Sequence, residues 1–333
     1  MRLRLRQGSE HVRPATQLDV VSMQRLSTDE ESLILAPSPL DEAPGLVWST
    51  VVPGRQRSWI AEDGSGLLGF AQARPRGYVL GWELVRVHAR PDADAQRVLA
   101  ALVQQVLAHL QERGIPRLFA RTIPESRGAA AVASCGFSLL TSECFFVREP
   151  SKVLPPEEMP TGMRYRMPQD AWPLRQLENS QTPPLVSQLE GLTSLNWSMP
   201  PQRRWHRAEP SELVVEREGQ IVGWVGWVFR GLPMGDHEVV RLGLLTGTDD
   251  ADMATSLIQY ALHLIGSRHP HARVAVRLRD YQMPLHLSLL DLGFVEAARV
   301  SLHIKHGRLQ LLPKKASRLL EFAPTVRAFS FEP

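Results

Sequence analysis

The feature that most restricts how this 333-residue chain can fold is an internal repeat: residues 1 to 150 are echoed by residues 161 to 307. Met1-Arg2-Leu3-Arg4-Leu5-Arg6-Gln7 returns as Met163-Arg164-Tyr165-Arg166-Met167-Pro168-Gln169. Ser58 to Glu62 followed by Leu67 to Phe70 returns as Glu212 to Glu216 followed by Ile221 to Trp224. Glu83-Leu84-Val85-Arg86-Val87 returns as Glu238-Val239-Val240-Arg241-Leu242, and Gly136-Phe137 as Gly293-Phe294. The order is kept while the spacing drifts by a few residues, as loop insertions between duplicated elements would make it do. The expectation is one fold, duplicated and fused, with repeats at 1–150 and 161–312, a linker at 151–160 rich in Pro and charge, and an appended segment at 313–333.

Each repeat is long enough to bury its own core. Hydrophobic residues make up 43% of the chain and charged residues 22%, an ordinary balance for a globular protein. No apolar run reaches the roughly 18 residues a membrane span needs, and no basic segment leads into an apolar stretch, so a cytoplasmic protein without a membrane partner is expected. The two cysteines, Cys135 and Cys144, both lie in the first repeat and read as packing residues rather than a duplicated framework. The formal net charge of +3 is spread over both halves without a basic stripe, which argues against a nucleic-acid partner. The histidines show no ligand spacing, and no metal is expected. Gln202 to Arg207 mixes cations with Trp205 but reads as an exposed helix end before Pro210.

Periodicity sets out the elements. Met1 to Arg6 alternates as a strand and residues 14 to 35 read as helical. Ser58 to Glu62 and Leu67 to Arg74 flank Asp63-Gly64-Ser65-Gly66 as a hairpin, and Trp82 to Ala89 is a third strand. Val98, Leu99, Leu102, Val103, Val106, Leu107 and Leu110 recur at helical spacing, with Gly114 and Pro116 as the stop. A strand at 117–122, a helix at 125–134 and a two-stranded hairpin at 137–148 complete the repeat. The second half reads the same way: strand 164–167, helix 171–178, hairpin 212–216 and 220–229, strand 237–245, helix 251–266, strand 273–278, helix 283–291 and hairpin 294–306. The expected class is α/β, each repeat a twisted mixed sheet flanked by helices.

This order, with the Glu83–Val87 strand leading into a long helix and the helix ends Ala133-Ser134-Cys135-Gly136-Phe137 and Leu290-Asp291-Leu292-Gly293-Phe294, resembles the GNAT acetyltransferase superfamily across nearly the whole chain, twice. The resemblance implies two tandem GNAT-like domains, acetyl-CoA as co-substrate, and a small-molecule or peptide amine as acceptor. In that family the central meander strand and the long helix splay from a neighbouring strand and hold the pantetheine and pyrophosphate. Mapped onto the first repeat, the cofactor-binding candidates are Val87, Ala89, Arg90, Gln96, Arg97, Val98 and Leu99.

The phosphate loops are degenerate. The family places small residues at the start of the long helix so that backbone N–H groups reach a pyrophosphate. The first repeat presents Asp94 to Leu99 there and the second Asp249 to Ala254, of which only Ala254 fits. Three aspartates, Asp249, Asp250 and Asp252, would each repel an anion by about 3 kcal/mol at roughly 6 Å and an effective dielectric of 20 before screening. The first repeat, with Arg90 and Arg97, is therefore preferred as the active one. The family's frequent tyrosine acid is replaced by Val132 and Leu289, and Tyr281 reads as packing. Candidate bases for the attacking amine are Glu83, His88 and Glu238. Trp224 and Trp227 suit the core or an acceptor groove, which would be bordered by residues 30–57 or 180–210. Two functions follow: an acyl-CoA-dependent N-acyltransferase working mainly through its first domain or, because both loops and both tyrosines are lost, a catalytically degenerate ligand-binding or regulatory protein.

Overall fold

The computed structural model describes residues 11–29, 33–35, 56–76, 81–150, 158–190, 211–234, 237–247, 251–282 and 284–307. Met1–Arg6, most of the proposed linker, the Gln202–Arg207 stretch, Asp249, Asp250, most of the two groove segments and residues 313–333 lie outside that set. The first half contains β1 (His11–Pro14), α1 (Val20–Ser27), β2 (Leu33–Leu35), β3 (Arg57–Asp63), β4 (Gly66–Pro75), β5 (Gly81–Ala89), α2 (Ala95–Glu112), β6 (Arg117–Thr122), α3 (Arg127–Ser134) and β7 (Ser138–Arg148). The second contains β8 (Met163–Tyr165), α4 (Ala171–Gln181), α5 (Pro184–Glu190), β9 (Glu212–Arg217), β10 (Gln220–Met234), β11 (His237–Thr246), α6 (Ala251–Arg268), β12 (Arg273–Arg279), α7 (Pro284–Asp291) and β13 (Val295–His306). No helix among the described residues is long and apolar enough to cross a membrane.

All these strands join one sheet in the order β1-β3-β4-β5-β6-β13-β7-β12-β11-β10-β9-β8, with β2 attached to β5. The centre of that order corrects the two closing hairpins expected at 137–148 and 294–306. Each is a single strand, because neither run holds a Gly or Pro to turn it. Closure comes instead by reciprocal exchange: β13 of the second half stands between β6 and β7, and β7 of the first half stands between β12 and β13. Cys144 and Phe146 on β7 belong to the second half's core, while Leu302 and Ile304 on β13 pack with Phe119 of the first. The helix ends are tied across the same seam. Arg148 donates from Nε to the Leu292 carbonyl at 2.8 Å, and the Lys305 ammonium donates to the Cys135 carbonyl. A cation at a helix C-terminus is favourable on both counts, capping and dipole.

The repeat itself is most legible at those helix ends. Gly136 (φ 75°) and Gly293 (φ 79°) take the left-handed turn, and Phe137 and Phe294 drop into the cores with their N–H groups on Val132 and Leu289. At the N-terminal edge the match shifts. The counterpart of Met163–Tyr165 is β1, not Met1–Arg6: Arg13 pairs with Asp19 and Glu62, as Arg164 does with Asp170 and Glu216. The helix expected over 14–35 is confined to 20–27, since residues 11–14 are extended against β3 and 33–35 against β5. In the second half the helix expected over 171–178 runs on to Gln181, and α5 follows after Pro183 at the start of the segment read as irregular.

Candidate functional site

Two wedges open symmetrically in the sheet, one in each half. β5 and β6 are parallel but pair only over Gly81–Leu84 and Arg117–Ala120, after which they diverge. β11 and β12 pair only over Val239–Leu242 and Arg273–Val276. Each wedge leads from the strand edge left by that divergence to the start of an 18-residue helix, α2 or α6. An edge of this kind presents backbone N–H and C=O groups to any extended amide-bearing ligand.

The first wedge is filled by the chain itself. β2 pairs antiparallel with β5, Leu33 opposite His88 and Leu35 opposite Val87. The other edge of β5 is already taken by β4, with Phe70 opposite His88 and Ala71 opposite Val87, so β2 lies on the wedge side. Leu35 is fully buried in the first half's core.

The second wedge differs at the matching position. Gly69 and Gly223 each let the long helix press onto the sheet, since a Cβ would meet Val98 at 2.7 Å or Met253 at 3.0 Å. Counting from them, Val225 is the counterpart of Ala71 and Leu244, its partner, the counterpart of Val87. The Leu244 carbonyl is met by the side chain of Gln282, Nε2 to O at 3.2 Å, while the Gln282 Oε1 accepts from the Arg279 N–H at 3.1 Å. Among the described residues no strand covers the Gly243–Thr246 edge. On its outer face the Trp224 indole lies over Gly226 and Gly243, where added Cβ atoms would come within 2.4 and 2.9 Å of the ring, and its Nε1 donates to Glu212 at 2.9 Å. Trp227, on the same strand, points the other way into the core.

The residues expected to work in the first half are otherwise engaged. Glu83 is buried 5% exposed, paired with Arg121 and 3.8 Å from Arg76. Its strand counterpart is Arg241, not Glu238. Glu83 pairs with Phe119 and Arg241 with Ala275, each third along its parallel ladder, while Glu238 precedes the first pair and its side chain lies outside the described set. A bulge at Val85 in β5, absent from β11, also separates the two strands. His88 stacks on Phe70 at 5.0 Å, and burial with neighbouring Arg86 pushes its pKa down to about 4. Val87, Ala89, Val98 and Leu99 are core residues. Arg90 is held by Asp92 at 2.5 Å and Ser65 at 3.2 Å. Gln96 is exposed; the Arg97 amide at the start of α2 donates to its own cap, Asp94, at 3.1 Å. That carboxylate takes a donor a pyrophosphate would need. Val132 and Leu289 are fully buried.

The polar cluster that sequence reasoning missed sits at the seam between the halves. Glu143 on β7 accepts from Arg121 at 2.7 Å and faces Arg277 at 3.5 Å and Arg279 at 3.6 Å. Glu190 on α5 takes both Arg279 Nη atoms at 2.7 and 2.8 Å and Arg76 at 3.1 Å. Burial works to raise the Glu143 pKa, but the three guanidiniums outweigh it and hold the carboxyl far below its usual range. Tyr281 accepts from Arg279 at 3.0 Å, and burial pushes its phenol up. The signal was present in Arg273-Val-Ala-Val-Arg-Leu-Arg279, where Arg273, Arg277 and Arg279 fall on one face of an otherwise apolar strand. No three His, Cys, Asp or Glu side chains converge as a metal site among the described residues.

With this geometry in view, the likeness to known proteins is specific. Residues 22–137 match the Acetyltransferase (GNAT) family. A GCN5-related N-acetyltransferase from Sphaerobacter thermophilus is 15% identical, with a TM-score of 0.60 over 89% of this chain and 95% of that one. A tandem GNAT protein from the clavulanic acid biosynthesis pathway is 14% identical, with a TM-score of 0.55 over 90% and 98%. At these identities the likeness is one of fold, and it spans both halves. No curated protein matches the sequence.

Proposed function

We propose that the chain transfers an acyl group from acyl-CoA, acetyl-CoA in the first instance, to an amine, and that the donor binds in the second wedge. A GNAT family match over residues 22–137, in the first half, and a GNAT fold across both halves support acyl transfer as the class of activity. The observation that carries the assignment is the unequal occupancy of the two wedges among the described residues: a main-chain strand in the first, the Gln282 side chain in the second. This departs from the sequence-based preference for the first half. The aspartates near α6 oppose an anion, but Asp252 is exposed and water and salt weaken such repulsion. Displacing β2 would re-expose Leu35, at about 2 kcal/mol, and forfeit backbone pairing at about 1 kcal/mol per bond, neither of which salt relieves.

In the reaction the amine nitrogen attacks the thioester carbonyl, the C–S bond breaks, CoA leaves as thiolate, and the amine proton goes to solvent or a base. The wedge contributes by orientation. The Leu244 carbonyl points into it, and in a strand the N–H of the same residue shares that side, so a backbone donor is available to the thioester oxygen. With Arg241 at the position of Glu83, the second half carries no carboxylate at that strand position. The occupied first wedge favours reading the first half as a non-catalytic partner that shares the sheet and the seam.

Acetyl-CoA with a panel of primary amines, followed by release of free CoA thiol, tests the proposal. Amine-dependent release is expected; failure of acetyl-CoA to bind the folded chain would overturn it.

A further inference from the structure

We propose that Leu33–Leu35 is a built-in competitor of acyl-CoA: it occupies the first wedge in the manner of the pantetheine arm, so the intact chain takes up one acyl-CoA instead of two. This rests on the acyl-CoA reading above and extends it to the other half. Pantetheine is an extended chain with two amides, and it needs an unpaired strand edge about as long as three residues, roughly 10 Å. β2 is three residues long and takes that edge at Val87 and His88. Its anchor is Leu35, with no exposed surface and seated in the same core as Val87, Ala131 and Val132, while Leu33 is 36% exposed. The tip of the strand is therefore accessible and its root is packed, the arrangement of a plug rather than of a sheet strand buried on all sides. The second half supplies the comparison within one molecule, because among the described residues the corresponding carbonyl, that of Leu244, is met by the Gln282 side chain and by no strand.

Calorimetric titration of acetyl-CoA into the full chain and into the variant Leu33→Gly, Ile34→Ser, Leu35→Gly decides the matter. The expected result is one site in the unaltered chain and two in the variant. No site in the unaltered chain and one in the variant would uphold the plug and contradict the second-half donor site. One site in both, or two in the unaltered chain, would overturn the plug while leaving the acyl-CoA reading intact. No site in either would contradict that reading, and the plug would fall with it. Should the triple variant not fold, Leu33→Pro removes one backbone donor at the exposed end, with the same expected gain of a second site. Amide hydrogen exchange on the unaltered chain is the further check. Residues 33–35 should be protected in the ligand-free chain, and rapid exchange there without acetyl-CoA would overturn the plug.

Discussion

The two wedges are built from corresponding strands and helices, yet among the described residues one holds three residues of main chain and the other one amide side chain. At Val87 the wedge edge is paired to a strand whose root is buried; at Leu244 it is paired to Gln282, a group with rotatable bonds. The two halves share a scaffold and differ in what meets the strand edge. The same contrast runs through the faces of the sheet. The first half places Glu83 and His88 where the second has Arg241 and Leu245, so the halves differ in chemistry at positions they share in space.

The comparison can be broken most severely at the seam. If each half depends on the strand lent by the other, residues 1–157 produced alone should show no cooperative unfolding, and adding residues 158–333 should restore it. A folded monomeric 1–157 would show that the exchange is dispensable. Next in size is Glu143→Gln, which leaves Arg121, Arg277 and Arg279 facing one another without their shared anion. Loss of one partner from a buried ionic cluster costs about 3 to 5 kcal/mol, measurable by urea unfolding.

A smaller effect distinguishes the halves by pH. The folded pKa of His88 is pushed from 6.5 down to about 4, below its unfolded value, so the unfolded chain takes the proton first. Its contribution is complete above pH 6.5 and is lost as pH falls towards 4, by at most about 3 kcal/mol. Changing it to the second half's residue, His88→Leu, should flatten that acid limb in urea unfolding at a series of pH values. His109, shifted in the same direction by burial, leaves a residual slope. An unchanged limb would contradict the burial of a neutral imidazole at this position. The smallest effect tests sameness rather than difference: Arg13→Ala and Arg164→Ala should each lower stability by about 1 kcal/mol and by similar amounts, since each Arg grips an Asp six residues on and a Glu in the neighbouring strand.

Much of the fold was legible because helix and strand periods, the Asp63–Gly66 turn and the Gly-Phe helix ends are local signals, and their elements lie within a few residues of their expected bounds. The strand exchange was not, because a turn-free run such as Ser138–Arg148 states that a strand exists but not which neighbour it finds. The site was less legible still. A resemblance of motif aligned Glu83 with Glu238, whereas strand register, which no local pattern encodes, places Arg241 there. The buried cluster of Glu143, Glu190 and Arg279 joins three distant segments, and its only trace in the sequence was charge on one face of apolar strands.

Entry of the donor into the second wedge is tested most directly by a crystal structure of the full chain grown with acetyl-CoA. The predicted result is pantetheine density along Leu244–Thr246, with the Gln282 amide turned away from the Leu244 carbonyl and β2 still paired to β5. Density along Val87–Ala89, with Leu33–Leu35 displaced, would contradict it.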